Sequence, residues 1–213
     1  STLPDLDVVH CHGPASTGLM GLRYARRYGA TSVYTHHTPV EDYFVQGLKS
    51  ERLASAVGRA YVAYENRFLS AFDCVTASTS RIRRDVEPYR LPVGIEMDRF
   101  RPREGARVAA LATDGGPTAA DAPVVGYSGR MTRKKNVDET LRLAERLPEV
   151  RFELVGEGPV RAELEADAPE NVRFHDFLPR EELPDFYAAL DVFVTASTCD
   201  TLGLSTLEAN ACG

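Results

Sequence analysis

Short apolar runs and longer amphipathic stretches alternate along the chain, and this alternation predicts strands that are each followed by a helix. In the first half, apolar runs predict strands over residues 7–10, 30–36, 73–76 and 90–92. Apolar positions at three- and four-residue steps predict helices over residues 15–28, 53–72 and 78–86. The 53–72 helix should bury one stripe, formed by Leu53, Val57, Ala60, Tyr61, Tyr64, Phe68 and Phe72.

The second half repeats the same alternation after a stretch rich in Ala, Gly, Pro and Asp. Its predicted strands cover residues 124–127, 151–155, 172–174 and 191–195, and its predicted helices cover residues 136–147, 159–166, 180–190 and 203–211. Two strand–helix blocks joined by a linker indicate an α/β protein with two parallel-sheet domains and a cleft between them. We predict an N-terminal domain over residues 1–104, a linker over 105–122 and a C-terminal domain over 123–213.

Composition narrows the class of protein. The net charge of -6 argues against nucleic acid as the main partner, because nucleic-acid binding needs a large basic face. No apolar run approaches the length of a membrane-spanning helix. The four cysteines are widely spaced and form no C-x-x-C pair, so we predict neither a disulfide framework nor a zinc ribbon. We expect a cytoplasmic protein.

Both ends of the sequence are expected to be internal to a larger protein. Ser1 leads within a few residues into the first predicted strand. Gly213 stops directly after a predicted helix, where a strand–helix unit would next supply a strand. We therefore expect both domains to be incomplete in this chain.

Two carboxylates near the end of the chain, Asp200 and Glu208, flank a glycine loop that opens a helix. The backbone N–H groups of Gly203 and Leu204 at this helix start suit a phosphate. The two acceptor oxygens of Glu208 match a vicinal diol such as a ribose edge. A sugar nucleotide offers both groups, although the same two carboxylates could also serve as a general acid and a general base.

A basic loop, Gly129–Asn136, follows the first strand of the second half and precedes a helix. Arg130 and Lys135 in this loop could neutralise a diphosphate, and the alternative is a solvated basic helix start. The loop is neither a Walker loop nor a G-x-G-x-x-G fingerprint, which argues against an ATPase and a dinucleotide dehydrogenase. A second glycine turn, Gly156–Pro159, is explained by turn chemistry alone.

Histidines end two neighbouring strands in the first half: His10 and His12 follow one strand, and His36 and His37 follow the next. They could gather at one active-site edge of the sheet, or each could be a hydrogen-bonded structural group. We predict no metal site, because no acidic or cysteine ligand stands at a suitable spacing. A run of arginines, at Arg81, Arg83 and Arg84, indicates a solvated helix face or a contact with anionic lipid heads.

Together these residues resemble the retaining glycosyltransferases of family 4, which have the GT-B fold of two facing Rossmann-like domains. The stretch Asp200–Glu208 is similar to the E-x7-E motif of that family, with aspartate in place of the first glutamate. The stretch Gly129–Asn136 is similar to its G-R-L-x-x-E-K-N segment, with Lys134 in place of the glutamate. The stretch Pro92–Ile95 is similar to its P-N-G-V hinge, with the asparagine lost.

The resemblance also implies roles for residues that carry no signal of their own. His12 matches a histidine that lies near the transferred sugar, and His37 matches the histidine of a Y-H-T segment. Phe177 and Leu178 fall where backbone groups meet the nucleotide base. The loop that begins at Thr38 resembles that of members which glycosylate diacylglycerol-type lipids, including sulfolipid synthases.

The resemblance implies transfer of a sugar from a UDP- or GDP-sugar to an acceptor hydroxyl, a lipid or a glycan, with retention of configuration. The catalytic residues would be His12, Arg130, Lys135 and Asp200. The other groups that bind the donor would be Phe177, Leu178, Gly203, Leu204 and Glu208. The residues on the acceptor side would be His37 and Thr38. We expect no cofactor beyond the donor substrate, and a peripheral contact with the inner face of the membrane. The alternatives are a nucleotide-sugar epimerase of the same fold and a non-catalytic protein that binds nucleotide sugars.

Overall fold

The computed structural model forms two compact units, Ser1–Val93 and Gly94–Gly213. The residues that it describes are 5–14, 16–37, 50–79, 85–103, 122–198, 200 and 202–213. Each unit contains a four-stranded parallel sheet, as the repeated strand–helix pattern predicts.

The first unit has the strand order β1-β2-β3-β4, with all neighbouring strands parallel. Its strands are β1 (Val8–Cys11), β2 (Thr31–His36), β3 (Cys74–Ala77) and β4 (Tyr89–Arg90), and its helices are α1 (Ser16–Tyr28) and α2 (Glu51–Leu69). These elements confirm the predicted strands and two of the predicted helices within a few residues. The third predicted helix, over residues 78–86, falls largely outside the described residues.

An aromatic cluster fills the core of the first unit. Tyr34 from β2 meets Phe68 of α2 edge to face, with ring centroids 5.4 Å apart, and Phe72 lies 5.3 Å from Tyr34. Such tilted and edge-to-face pairs add to the free energy of apolar burial. Leu22 of α1 and Val75 of β3 close the same cluster.

The buried face of α2 differs from the predicted stripe. Leu53 and Tyr64 are 54% and 46% exposed, whereas Ala54 and Glu65 are each 1% exposed. Phe68 and Phe72 are buried as predicted. At Leu53 and Tyr64 the buried face is rotated by about one residue, because apolar periodicity gives no weight to a buried carboxylate. Glu65 faces the interior, where its side chain meets His36.

The second unit has the strand order β7-β6-β5-β8, again parallel throughout. Its strands are β5 (Val124–Ser128), β6 (Arg151–Val155), β7 (Val172–His175) and β8 (Val192–Phe193), and its helices are α3 (Val137–Arg146), α4 (Arg161–Ala166), α5 (Leu183–Ala188) and α6 (Leu204–Cys212). A short 3-10 helix, Arg133–Lys135, precedes α3. The central strands β5 and β6 are nearly all buried, because helices cover both faces of the sheet.

Two elements of the second unit are shorter than predicted. The strand predicted over residues 191–195 is observed as β8, which has only two residues, and Val192 is 55% exposed. Within the described part of the sheet β8 pairs with β5 alone, so it forms an edge. The helix predicted over 180–190 is α5, which has six residues and carries Pro184 in its first turn, where a missing N–H is tolerated.

The segment Gly94–Arg103 packs in the second unit, whereas the sequence assigned it to the first domain. Phe100 is fully buried and its ring centroid lies 6.2 Å from that of Tyr187. Arg103 forms an ion pair with Asp185 at 2.6 Å. The linker predicted over 105–122 lies outside the described residues except for Ala122, and it stays a prediction.

A search of the described helices finds none with the combined length and apolarity needed to cross a membrane.

Candidate functional site

The carboxyl ends of β5, β6 and β7 surround a pocket of about 450 Å³ in the second unit. Ligands of open parallel sheets bind at this edge. The loop after β5 contributes Arg130, the glycine turn after β6 contributes Gly156 and Gly158, and the loop after β7 contributes Phe177 and Leu178. The structure therefore brings three predicted site residues, Arg130, Phe177 and Leu178, into one pocket.

The glycine turn is required by packing as well as by turn chemistry. A Cβ atom on Gly156 would lie 2.0 Å from the carbonyl oxygen of Gly129, and one on Gly158 would lie 2.0 Å from that of Met131. The Met131 N–H donates to the Glu157 carbonyl at 2.8 Å, which holds the two loops together. The interpretation of this turn as turn chemistry alone was therefore too narrow.

Arg130 and Phe177 present unengaged surfaces to the pocket. The Tyr127 hydroxyl donates to the Arg130 carbonyl at 3.2 Å and so fixes the backbone of Arg130. Within the described residues the Arg130 guanidinium has neither an ion-pair nor a hydrogen-bond partner, so it can accept an anion. The Phe177 ring is 70% exposed, and an exposed ring at a pocket wall can stack on a planar heterocycle.

Two further predicted residues, Lys135 and Asp200, pair with each other. The Lys135 ammonium lies 2.5 Å from Oδ1 of Asp200, and both side chains are about a quarter exposed. The neighbouring Asn136 adopts a left-handed conformation with φ 48° and donates from Nδ2 to the Ala196 carbonyl at 3.0 Å. These contacts join the loop after β5 to the loop after β8.

The helix α6 begins as predicted, at a glycine in the left-handed region. Gly203 has φ 65°, and its carbonyl accepts the first helical hydrogen bond, from Thr206 N at 3.0 Å. A residue with a Cβ atom would be strained in this conformation. The N–H groups of Leu204 and Ser205, which precede Thr206, have no partner within the helix, and this leaves them available to an anion.

Glu208, one turn into α6, is 6% exposed. The Tyr187 hydroxyl donates to its Oε2 at 3.3 Å, and Nη2 of Arg180 lies 3.7 Å from its Oε1. Burial, the largest cause, and the charge of Glu208 raise the pKa of Tyr187 well above its usual range. Tyr187 therefore keeps its proton and acts as a fixed donor to the carboxylate.

In the first unit, three imidazoles gather where β1 and β2 end. Nδ1 of His12 lies 2.8 Å from Nε2 of His37, so one of these nitrogens donates to the other. The His10 ring centroid is 4.2 Å from that of His12, and His10 Nε2 lies 2.6 Å from the Thr35 hydroxyl. Burial lowers the pKa of His37, and the neighbouring His12 lowers it further, which favours the neutral form of the His37 ring.

His36 faces a different environment. It is 2% exposed, and its Nε2 lies 3.1 Å from Oε2 of the equally buried Glu65. The predicted gathering therefore holds for His10, His12 and His37, and His36 is a structural group. Across the described ranges, no three His, Cys, Asp or Glu side chains are arranged to hold a metal ion. Thr38 lies outside the described residues.

Sequence reasoning missed the neighbours of the predicted residues. Tyr187 and Arg180 approach Glu208, and Ser128 hydrogen-bonds with Tyr187 at the pocket edge. None of the three belongs to a recognisable motif. Their positions depend on how α5 packs against α6 and on the side-chain directions that follow, which sequence spacing does not show.

Comparison with protein families assigns each half of the chain. Residues 2–96 match the model "Glycosyltransferase Family 4". Residues 114–213 match the model "Glycosyl transferases group 1". Together the two matches account for most of the chain.

Characterised relatives resemble the chain over nearly its whole length. A GDP-mannose-dependent alpha-mannosyltransferase of Mycobacterium tuberculosis is 30% identical over 98% of this chain and 54% of its own. A D-inositol 3-phosphate glycosyltransferase of Mycolicibacterium smegmatis is 33% identical over 97% of this chain and 50% of its own length. An alpha-monoglucosyldiacylglycerol synthase of Streptococcus pneumoniae is 28% identical, over 98% and 50%. The chain spans about half the length of these relatives.

Solved structures share the fold. Sucrose-phosphate synthase from Thermosynechococcus elongatus superimposes with a TM-score of 0.75 at 24% identity, over 97% of this chain and 54% of its own. The Anabaena protein HepE, solved in complex with UDP, superimposes with a TM-score of 0.74 at 18% identity, over 97% of this chain and 57% of its own. These neighbours are GT-B glycosyltransferases, so the predicted fold class is confirmed.

Proposed function

Because the chain belongs to the glycosyltransferases of the group 1 and family 4 type, we propose that the protein transfers a sugar from a nucleoside-diphosphate sugar to an acceptor hydroxyl with retention of configuration. The C1–O bond to the diphosphate breaks, and a new C1–O bond to the acceptor forms on the same face of the sugar. The acceptor proton passes to the departing diphosphate oxygen. No protein nucleophile is needed.

The donor diphosphate is proposed to bind Arg130, Lys135 and the first N–H groups of α6. The unengaged guanidinium of Arg130 in the pocket supports this role. The Lys135 ammonium is paired with the Asp200 carboxylate at 2.5 Å. A bound diphosphate would therefore either share this ammonium with the carboxylate or displace the carboxylate from it. Fixed positive charge and amide dipoles would stabilise the negative charge that builds on the leaving group.

The nucleoside is proposed to occupy the pocket beside Phe177 and Leu178, with its ribose on Glu208. The exposed ring of Phe177 supports stacking of a base, and the buried carboxylate of Glu208 supports acceptance of two ribose hydroxyls. The Tyr187 hydroxyl and the Arg180 guanidinium orient that carboxylate. One relative is named a GDP-mannose-dependent enzyme, and the structural neighbour HepE was solved with UDP, so both GDP-sugars and UDP-sugars are candidate donors.

The transferred sugar is proposed to contact Asp200 and His12. The acceptor is proposed to contact His37 and Thr38. Asp200 is one methylene shorter than the glutamate of the resembled motif and is held by Lys135. The hydrogen-bonded His12–His37 pair can exchange hydrogen bonds with hydroxyl groups. No cofactor takes part in this proposal.

A glycerolipid acceptor is the proposed substrate class. It is supported by the relatives named alpha-monoglucosyldiacylglycerol synthase from Streptococcus pneumoniae and Acholeplasma laidlawii, which are 28% and 27% identical. A lipid acceptor would place the protein in the cytoplasm, in peripheral contact with the inner face of the membrane. A glycan is the alternative acceptor.

The observation that carries the proposal is the pocket at the carboxyl edge of the second sheet, where Arg130 and Phe177 face the same space. The test incubates the full-length protein with UDP-glucose or GDP-mannose and with diacylglycerol or sugar acceptors. We expect one donor to give a glycosylated product whose anomeric configuration, read by NMR, equals that of the donor. An inverted product would contradict retention, and no transfer with any pair would contradict the function.

A matched pair of variants separates the phosphate role of Lys135 from general effects of charge. Lys135→Ala should lower turnover by about a hundredfold or more, because it removes a cation that stabilises the leaving group. Arg133→Ala removes a cation from the same 3-10 helix, where the side chain is 80% exposed, and should leave turnover near that of the parent. Equal turnover in both variants would remove Lys135 from the site.

A further inference from the structure

The guanidinium of Arg161 joins two walls of the nucleotide pocket. Nη1 donates to the carbonyl of Gly156 at 3.2 Å, in the turn after β6. The same nitrogen lies 2.8 Å from Oδ1 of Asp176, in the loop after β7. Nε donates to Glu165 at 2.7 Å, one turn further along α4, which fixes the direction of the side chain.

These contacts differ from an ordinary surface ion pair. Exposed pairs contribute little to stability, because water solvates both partners and the side chains lose freedom. Arg161 is only 20% exposed, and it binds groups from three separate segments of the chain. One acceptor is a backbone carbonyl, which cannot move independently of the turn.

Both segments that Arg161 joins are pocket walls. Gly156 is packed so closely against Gly129 that the turn has no room to shift toward it. Asp176 directly precedes Phe177, so a fixed Asp176 carboxylate fixes the backbone from which the exposed Phe177 ring projects. The width of the pocket between the turn and the ring therefore depends on Arg161.

We propose that Arg161 is a positioning residue that sets the spacing between the Gly156 turn and Phe177 and thereby sets the affinity for the nucleobase. The inference rests on the proposed function, since it takes the pocket to hold a nucleotide. Arg161 does not touch the nucleotide itself. We expect its effect at the base end of the pocket, because the backbone of Arg130 is fixed by Tyr127 and Lys135 is paired with Asp200.

The test compares binding of UDP, GDP and inorganic pyrophosphate by calorimetry in the full-length protein. Arg161→Gln keeps a polar side chain, but this side chain is shorter and uncharged and cannot hold the carbonyl and the carboxylate together. We expect it to weaken binding of the preferred nucleotide by about tenfold, the effect of one charged hydrogen bond. Binding of pyrophosphate, which has no base, should stay within about twofold of the parent.

Asp176→Asn tests the same link from the other side, on a carboxylate that is 86% exposed and whose loss should not affect folding. The two variants should each weaken nucleotide binding, and the double variant should be no weaker than Arg161→Gln alone, because both changes break one link. Arg142→Gln is the matched control, since Arg142 is a helix arginine that pairs with Glu139 and is 61% exposed. It should bind nucleotide as the parent does.

The outcomes separate the inference from the function on which it rests. If the parent protein binds neither UDP nor GDP, the proposed function fails. If the parent binds a nucleotide and both Arg161→Gln and Asp176→Asn bind it equally well, the positioning role is overturned. The role is also overturned if pyrophosphate binding falls as much as nucleotide binding, since the effect would then not be confined to the base.

Discussion

Glu208 shows how one residue can be assigned a ligand from its surroundings. A buried carboxylate is costly unless it is hydrogen-bonded or paired, and among the described residues Glu208 has one hydrogen-bond donor, Tyr187, and one more distant cation, Arg180. Two carboxylate oxygens offer about four acceptor positions, so several stay open for a ligand. The Tyr187 hydroxyl and the Arg180 guanidinium both present donor groups to its oxygens, so the carboxylate is held as a hydrogen-bond acceptor. The carboxylate is therefore better suited to hold a diol than to transfer a proton.

Glu208→Gln provides the prediction at this scale. We expect the affinity for UDP or GDP to fall by about tenfold or more, because a neutral amide accepts weaker hydrogen bonds from ribose hydroxyls than a carboxylate does. Isothermal calorimetry on the parent and the variant measures this change. The parent should also prefer the ribonucleotide to its 2′,3′-dideoxy analogue, and the variant should lose most of that preference.

The control for this prediction is Glu149→Gln, at an exposed turn position outside the site. It should leave both the affinity and the preference for ribose unchanged. A Glu208→Gln variant that still discriminates fully between the two nucleotides would remove the ribose role, even if its affinity were lower.

At the scale of elements, strands and helices could be predicted because their signals are local. The apolar run over residues 124–127 predicted a strand, and the observed β5, Val124–Ser128, covers that run and one residue more. The buried face of α2 could not be predicted, since it is set by the contact of Glu65 with His36 from another strand. The length of β8 depends on which strands lie beside it, and the chain's own pattern does not contain that information.

In the candidate site, too, residues with local sequence signals could be predicted, whereas contacts between distant parts of the chain could not. Arg130, Lys135, Asp200 and Glu208 could be found from glycine loops and charge spacing. The pairing of Lys135 with Asp200 could not, because the residues are separated by 65 positions and meet only through the sheet order. The role of Arg161 was hidden for a similar reason, since an arginine in the first turn of a helix carries no signal until the neighbouring loops are in place.

Asp73 provides a prediction about how strands are joined. Its Oδ2 accepts from the N–H and the hydroxyl of Ser32, at 2.8 and 2.6 Å, and so ties the start of β3 to β2. The hydroxyl of Ser32, and then its N–H, lower the pKa of Asp73. A carboxyl with a depressed native pKa stabilises the fold above its unfolded pKa of about 4, and this contribution is lost as the pH falls.

We therefore expect Asp73→Asn to lower the thermal midpoint at pH 7. The difference from the parent should shrink as the pH is lowered through 4 and below, because the parent then loses the ionised carboxylate as well. Thermal unfolding followed by circular dichroism between pH 3 and pH 7 measures both curves. Glu87→Gln, which changes an exposed carboxylate of the same unit, is the control. A difference in thermal midpoint between Asp73→Asn and the parent that does not depend on pH would contradict the stabilising role of the Asp73 carboxylate.

At the scale of the whole molecule, the two units have separate cores. The aromatic cluster around Tyr34 and Phe68 belongs to the first unit, and the clusters around Phe152 and Phe186 belong to the second. The residues proposed to hold the nucleotide, from Arg130 to Glu208, all lie in the second unit. A nucleoside diphosphate without its sugar should therefore stabilise the second unit directly.

Hydrogen exchange read by mass spectrometry tests this last expectation. At a concentration of UDP or GDP about a hundredfold above Kd, binding adds roughly 2.7 kcal/mol to the stability of the unit that holds the ligand. Amides in the loop after β5 and in the first turn of α6 should exchange more slowly, because bound phosphates would restrain both segments against opening. Inorganic pyrophosphate should slow the same amides but not those near Phe177, since it carries no base. Nucleotide binding that left the amides of the second unit unprotected would show that the site has been placed in the wrong unit.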